Sequence, residues 1–267
     1  MCGICGIAYA DQRPGDRGLL REMNAAMRHR GPDSEGMFSA AGVGLGIRRL
    51  AIIDVAGGDQ PISNEDGSIW IVLNGEIYNY PQMRAELERR GHTFKTKTDT
   101  ECILHYYEDE GDACVQRLRG MFAFALWDAT RQRLLIARDR MGQKPVFYTV
   151  QGNTLYFCSE LDGLLRALPT RPSVRLEAID LYLSLQYVPE PLTAYEGVSK
   201  LGAASTLVWQ DGKAVTARYW DYECVPKLRA NEDELVEDLR GRLREAVKMR
   251  LMSEVPLGAH LSGGLDS

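Results

Sequence analysis

Apolar residues recur along this chain in two periods, and each period predicts a different kind of element. Residues 3–9 form a short, apolar, glycine-punctuated run that reads as a buried strand. Val43, Leu45 and Ile47 alternate with other residues, while residues 69–73 are apolar without interruption. Both patterns suit strands of a stacked sheet. Further strands are predicted at residues 122–127, 134–137, 146–150 and 155–158. A hairpin follows, with strands at 206–209 and 214–219 around an Asp211-Gly212 turn. Helical spacing appears from Asp16 to about Arg30, where Leu19, Leu20, Met23 and Met27 mark one face behind an Asp16 cap. Gly31, which also precedes Pro32, ends that helix, since glycine and the pre-proline position both oppose helical backbone. Helices are also predicted near residues 80–90 and 99–118, with two more in 160–187 around Pro169 and Pro172.

The pattern changes after Trp220. Pro226, Lys227 and Arg229 make a polar linker, and Asn231 with Glu234 forms a capping-box start. Leu235, Val236, Leu239, Leu243, Val247 and Leu251 then lie in one stripe over about five helical turns. Residues 255–261 read as a strand running into Ser262-Gly-Gly-Leu-Asp-Ser267. Such a turn ordinarily leads into another helix. This end is therefore expected to be the opening of a second domain, and the stripe is expected to lack a partner within the chain.

Composition narrows the function classes. The 267 residues are 45% hydrophobic and 26% charged, which are ordinary globular values. A net charge of −5 with Lys and Arg dispersed argues against nucleic-acid binding. No apolar run reaches the ~18 residues of a membrane span and the N-terminus lacks a secretory pattern, so a cytoplasmic protein without membrane contact is expected. Six cysteines are sparse for a disulfide framework. Cys2-x-x-Cys5 has no second pair to complete a zinc site.

Cys2 stands directly behind the initiator methionine. Removal of Met1 would place a thiol and a free α-amine on one residue. An α-amine with a pKa of roughly 7.7–8.0 is partly neutral near physiological pH and can take the thiol proton. Asn74-Gly75 ends an apolar run, where an Asn amide and a backbone N–H can meet a developing oxyanion. Arg49 can grip a carboxylate, and Asp99 can face an ammonium group. Taken singly, these are more readily a turn, a surface charge and a helix cap. Together, nucleophile, oxyanion donors, carboxylate clamp and ammonium acceptor describe glutamine.

These residues sit in longer motifs: Met1-Cys2-Gly3-Ile4, RHRGPD at 28–33, RLAIID at 49–54, NGEIYN at 74–79, TDTE at 98–101, GMFAFALWD at 120–128, RDRMGQKP at 138–145 and SGGLDS at 262–267. In this set and order the chain resembles the glutamine-hydrolysing asparagine synthetase family. The resemblance implies an α+β fold, a four-layer α/β/β/α sandwich of N-terminal nucleophile hydrolase type. It would be a class II glutamine amidotransferase domain over residues 2–225, followed at 231–267 by the first elements of an α/β ATP pyrophosphatase domain. It implies Cys2 as nucleophile, Asn74 and the Gly75 N–H as oxyanion hole, and Arg49, the backbone near Ile53, Glu76 and Asp99 around the glutamine head group. Leu261 would lie beside adenosine, and Ser262, Gly263, Gly264, Asp266 and Ser267 would hold the pyrophosphate part of ATP, with Mg²⁺ assisting in the complete enzyme. The glutaminase half would need no metal. Glutamine, aspartate and ATP are the implied substrates, asparagine the product, and a homodimer the assembly it suggests. Another carboxylate acceptor, a stand-alone glutaminase or an inactive binding fragment are the alternative readings.

Overall fold

A continuous apolar strand needs cover on both faces, and the stacking of two sheets supplies it. The computed structural model describes residues 1–225, 227 and 229–266. In chain order the elements are β1 (Gly3–Tyr9), α1 (Arg17–Ala26), β2 (Ser34–Ala40), β3 (Val43–Arg49), β4 (Ile62–Ser63), β5 (Ile69–Ile77), α2 (Tyr80–Arg90) and α3 (Asp99–Glu110). Then come β6 (Gly120–Asp128), β7 (Arg133–Arg138), β8 (Phe147–Gln151), β9 (Thr154–Cys158), α4 (Leu161–Ala167), α5 (Leu176–Leu185), β10 (Ser199–Lys200), β11 (Ser205–Gln210), β12 (Lys213–Arg218) and α6 (Glu232–Met249). One antiparallel sheet has the order β10-β8-β9-β1-β3-β2, and the other β12-β11-β7-β6-β5-β4.

Period-two alternation decides which side chain enters which layer. On β1, Ile4 and Ala8 pack between the sheets, while Cys5, Ile7 and Tyr9 turn outward to Leu20, Met23 and Met27 of the α1 region and Leu164 of α4. On β5, Val72 faces the other sheet, while Ile71, Leu73 and Ile77 pack under Met83, Leu87, Ile103 and Tyr106 of α2 and α3. Phe122 and Phe124 join that outer layer as Ala123, Ala125 and Trp127 point between the sheets. The result is four layers, helix on sheet on sheet on helix. Burial of each large side chain here contributes roughly 1.5–3 kcal/mol.

Several expectations change in detail. Three strands lacked an apolar signature: β2, whose side chains are half-buried, and the two-residue β4 and β10. The helix expected over 99–118 stops at Gly111, whose φ of 60° and ψ of −138° break it into a 3-10 turn at Gly111–Gln116. Its cap is Thr98, which accepts the Glu101 N–H, so Asp99 is not the cap. The Asp211-Gly212 turn takes φ of 50° and 73°, the doubly positive pair that a two-residue hairpin needs.

The strand expected over 255–261 does not form. Its peptide groups have no neighbouring ladder among the described residues, and an isolated strand satisfies none of its own backbone bonds. Pro226 of the linker lies outside the described residues. Helix α6 does form, behind the complete Asn231–Glu234 capping box, but buries none of its residues: Leu239, Leu243 and Val247 are 58%, 57% and 59% exposed. Its far end and the following residues reach the sandwich. Glu245 pairs with Arg119 at 2.8 Å, and Arg250 lies 4.7 Å from the Tyr78 ring centre. Glu254 N donates to Ile52 O at 3.0 Å, and Val55 N donates to Glu254 Oε2 at 3.0 Å. Among the described residues no helix is long and apolar enough to cross a membrane.

Candidate active site

Cys2 immediately precedes β1, and the 28–33 turn holds it in place. Arg30 Nε donates to Cys2 O at 2.9 Å, while its Nη1 donates to Glu160 Oε1 at 3.0 Å. A Cβ on Gly31 would stand 2.4 Å from Arg48 O, so only glycine lets this turn pass so close. Asp33 Oδ2 accepts the Ala51 N–H at 2.8 Å. That turn thereby positions Leu50, whose N–H points at Cys2 Sγ from 3.3 Å. Burial pushes the Cys2 thiol pKa up, and the Leu50 contact, the α-amino group and Arg49 oppose it. The α-amine carried by Met1 is pushed down, chiefly by burial.

Beside the thiol opens a cavity of about 300 Å³ lined by Met1, Cys2, Arg49, Asn74, Glu76, Asp99 and Lys144, among others. Asn74 and Gly75 occupy the β5 stretch facing Ala123 and Phe122. A Gly75 Cβ would lie 2.1 Å from Met121 O, so this close strand approach demands glycine. Asn74 is fully buried, yet neither Nδ2 nor Oδ1 has a hydrogen-bond partner. Such burial without a partner costs about 1–3 kcal/mol, and folded chains rarely retain it without a use.

The charged groups follow from three loops. Arg49 ends β3, and its guanidinium spans Ile53 O at 3.1 Å, Asp54 O at 2.8 Å and Asp59 Oδ1 at 3.0 Å. The carboxylate on Arg49 in this structure is thus that of Asp59, and Arg49 also shapes the loop bearing Ile53. Asp54 ties that loop to the α3 entrance by accepting the Lys97 N–H at 2.8 Å. Asp99 Oδ2 accepts the Ile77 N–H at 2.7 Å, and burial pushes its pKa up to about 6. Glu76 is also pushed up by burial, with Lys144 opposing.

Lys144 was given no role from the sequence, because nothing in a loop lysine announces burial. It is 5% exposed and lines the cavity, with Nζ 3.2 Å from Met1 Sδ. Burial lowers its pKa. Asp139 delivers it: Oδ2 accepts Lys144 N at 3.1 Å, while Oδ1 accepts Gln143 N at 3.0 Å. Gln60 is a second residue the sequence did not single out; it lines the cavity and accepts Leu73 N at 2.6 Å.

All six residues expected around glutamine, Arg49, Ile53, Asn74, Gly75, Glu76 and Asp99, line this one cavity together with Cys2. Of the expected nucleotide residues, the described ones are not among its lining. Leu261 is 80% exposed, Gly263 turns with φ 79°, Gly264 N donates to Ser262 Oγ at 3.2 Å, and Asp266 is exposed. Ser267 lies outside the described residues. Cys5, Cys102, Cys114 and Cys158 are buried free thiols, and Cys224 is an exposed one.

Residues 1–220 match the glutamine amidotransferase domain model, and residues 238–267 match the asparagine synthase model. A Bacillus subtilis protein named asparagine synthetase [glutamine-hydrolyzing] 1 is 41% identical over 275 residues, covering all of this chain and 43% of that protein. A Methanocaldococcus jannaschii putative asparagine synthetase [glutamine-hydrolyzing] 2 is 38% identical, with all of this chain and 55% of that protein covered. Amidase chyE of Penicillium rubens is 35% identical over 99% of this chain and 41% of its own length. The chain spans about half the length of the curated relatives it matches. Among solved structures, an allosteric regulatory enzyme of purine biosynthesis superposes with a TM-score of 0.59 at 19% identity, over 82% of this chain and 49% of that one. The glutamine phosphoribosylpyrophosphate amidotransferase of B. subtilis gives 0.55 at 18% identity, with the same coverage. These likenesses bear on the fold alone. By its sequence match over residues 1–220, the chain belongs to the glutamine amidotransferase domain family.

Proposed function

We propose that Cys2 hydrolyses the side-chain amide of glutamine and that the ammonia serves an ATP-dependent amidation of aspartate to asparagine. The observation that carries the first half is Asn74: a buried amide with both polar atoms unpartnered, lining the cavity that holds the Cys2 thiol. A donor built to meet charge that exists only during reaction has this signature.

Removal of Met1 leaves the α-amine on Cys2, where it takes the Sγ proton. The thiolate attacks the amide carbon, and Asn74 Nδ2 and Gly75 N–H meet the negative oxygen. The proton passes to the leaving nitrogen, the C–N bond breaks, and ammonia departs from a glutamyl thioester. Water then attacks the thioester carbon, releasing glutamate and restoring the thiol. Arg49 holds the substrate carboxylate, exchanging Asp59 for it, beside the Ile53 backbone. Asp99 and Glu76 receive the substrate ammonium.

In this reading the amidotransferase domain covers residues 2–225, and 231–267 open the synthetase domain. The 238–267 match and the names of the relatives support that assignment, along with aspartate and ATP as co-substrates. The residues of the loop suit phosphate: Gly263 turns the backbone, and a glycine-rich turn can present N–H groups to phosphate oxygens. Leu261, Ser262, Gly263, Gly264, Asp266 and Ser267 would contact ATP, and Mg²⁺ would neutralise charge on its phosphates. A different acceptor is the second reading, favoured by the similarity to Amidase chyE.

The test uses the complete gene product with ATP, Mg²⁺, aspartate and amide-labelled glutamine, followed by mass spectrometry. Labelled asparagine is the expected product. Glutamate and free ammonia without asparagine would overturn the acceptor, and no glutamate release would overturn the Cys2 chemistry.

A further inference from the structure

At α3 and the connection before it, away from the thiol cavity, two imidazoles and a carboxylate turn one atom each toward a common point. His105 and Glu108 are one helical turn apart and share a face. His92 approaches them from the connection between α2 and α3. A ligand atom from each lies within 4.8 Å of the other two. Glu108 Oε2 is 2.8 Å from His105 Nδ1 and 3.5 Å from His92 Nδ1.

In His92 and Glu108 the remaining polar atom is engaged elsewhere. His92 Nε2 lies 3.0 Å from Asp109 Oδ1, and Glu108 Oε1 accepts from Asn64 Nδ2 at 2.9 Å. His105 Nε2, wholly buried and without a hydrogen bond, stands 3.8 Å from Glu101 Oε1. His92 and Glu108 thus have outer partners that set their orientation, as commonly surrounds a metal-binding histidine, while a carboxylate of Glu101 stands near the far side of His105.

We propose that His92, His105 and Glu108 bind a divalent transition-metal ion of the zinc class, which fastens the α2–α3 connection to α3. Two imidazole nitrogens and one carboxylate oxygen are a zinc donor set, whereas Mg²⁺ and Ca²⁺ call for oxygen throughout. Bonds of about 2.0–2.2 Å in a tetrahedron put donors roughly 3.3 Å apart, and the donor atoms here bracket that spacing. Coordination displaces the proton between His105 Nδ1 and Glu108 Oε2 to solvent, and water fills the fourth position. The His92 and Glu108 side chains, 16% and 22% exposed, give the ion a way in, while His105 at 0% forms the back of the site. The braced connection leads through Thr98 into Asp99, so the ion would stiffen one wall of the Cys2 cavity from outside.

The test is calorimetric titration of metal-stripped protein with Zn²⁺, repeated with Co²⁺ as a spectroscopic probe. One equivalent should bind and raise the melting temperature. His92→Ala and Glu108→Gln should each weaken binding by more than the roughly ten- to hundredfold that loss of an outer partner costs, with far-UV circular dichroism unchanged. Cobalt should show tetrahedral visible bands without thiolate-to-metal charge transfer. A strong thiolate band would place the ion on cysteine and overturn the proposal, without depending on any variant. Absent uptake by the folded protein, or full uptake by the His92→Ala/Glu108→Gln protein, would overturn it as well.

Discussion

The Ile77 N–H donates to Asp99 Oδ2 over 2.7 Å, which holds a buried carboxylate at the junction of β5 and α3. Burial raises the Asp99 pKa from 3.8 to about 6. The folded state therefore favours the neutral acid. Its burial costs nothing below the unfolded value of 3.8 and reaches its full cost, about 3 kcal/mol, above the folded value of about 6. Asp99→Asn keeps an acceptor for Ile77 N–H and removes this cost. Urea unfolding should show the variant about 3 kcal/mol more stable relative to wild type at pH 8 than at pH 3.5. In the proposed mechanism the ammonium of glutamine needs the anion, so kcat/KM should fall as pH drops through about 6, and the variant should lose glutamine binding.

Asn74 should separate catalysis from stability in the opposite way to an ordinary core residue. Replacing a satisfied buried amide exposes its partners, but this amide has none in the structure. Asn74→Ala should lower kcat for glutamate release by about 10²–10³ while KM changes little. Thermal unfolding should reveal less destabilisation than truncating an apolar side chain such as Leu73, which typically costs about 2–5 kcal/mol. A KM effect without a kcat effect would move Asn74 from oxyanion contact to ground-state binding.

Glu254 connects the segment after α6 to the wall of the cavity, since its backbone and carboxylate hold Ile52 O and Val55 N. The same loop carries Ile53 O, which accepts from Arg49. Glu254→Ala frees the Val55 amide. Hydrogen exchange over residues 51–56 should quicken, and KM for glutamine should rise several-fold with kcat nearly unchanged. Unaltered exchange would show that the loop is held by Arg49 and Asp54 alone.

Much of the layering was legible because both sheets bury both faces, which leaves apolar runs such as residues 69–73 that few other arrangements explain. Ser34–Ala40 gave no such signal, because an edge strand with half-buried side chains needs little apolar character. Residues 255–261 gave a strand signal that only a neighbouring strand could realise. At the cavity, Cys2, Arg49, Asn74 and Asp99 were found through chemical complementarity and family motifs, since their types name a job. Lys144 and Gln60 were not, because their placement depends on Asp139 and on the path of a loop. The Asp59 carboxylate on Arg49 was equally invisible: it lies ten residues away in a connection without periodicity.

The central claim, that glutamine is opened by the Cys2 thiol, is tested most directly by trapping the intermediate. The protein would be mixed with isotopically labelled glutamine, quenched in acid within one turnover, digested and mapped by mass spectrometry. The account predicts an N-terminal peptide beginning at Cys2 and carrying one glutamyl group as a thioester, absent from Cys2→Ala along with glutamate release. Glutamate release that survives in Cys2→Ala, or a glutamyl group found on another residue, would contradict it.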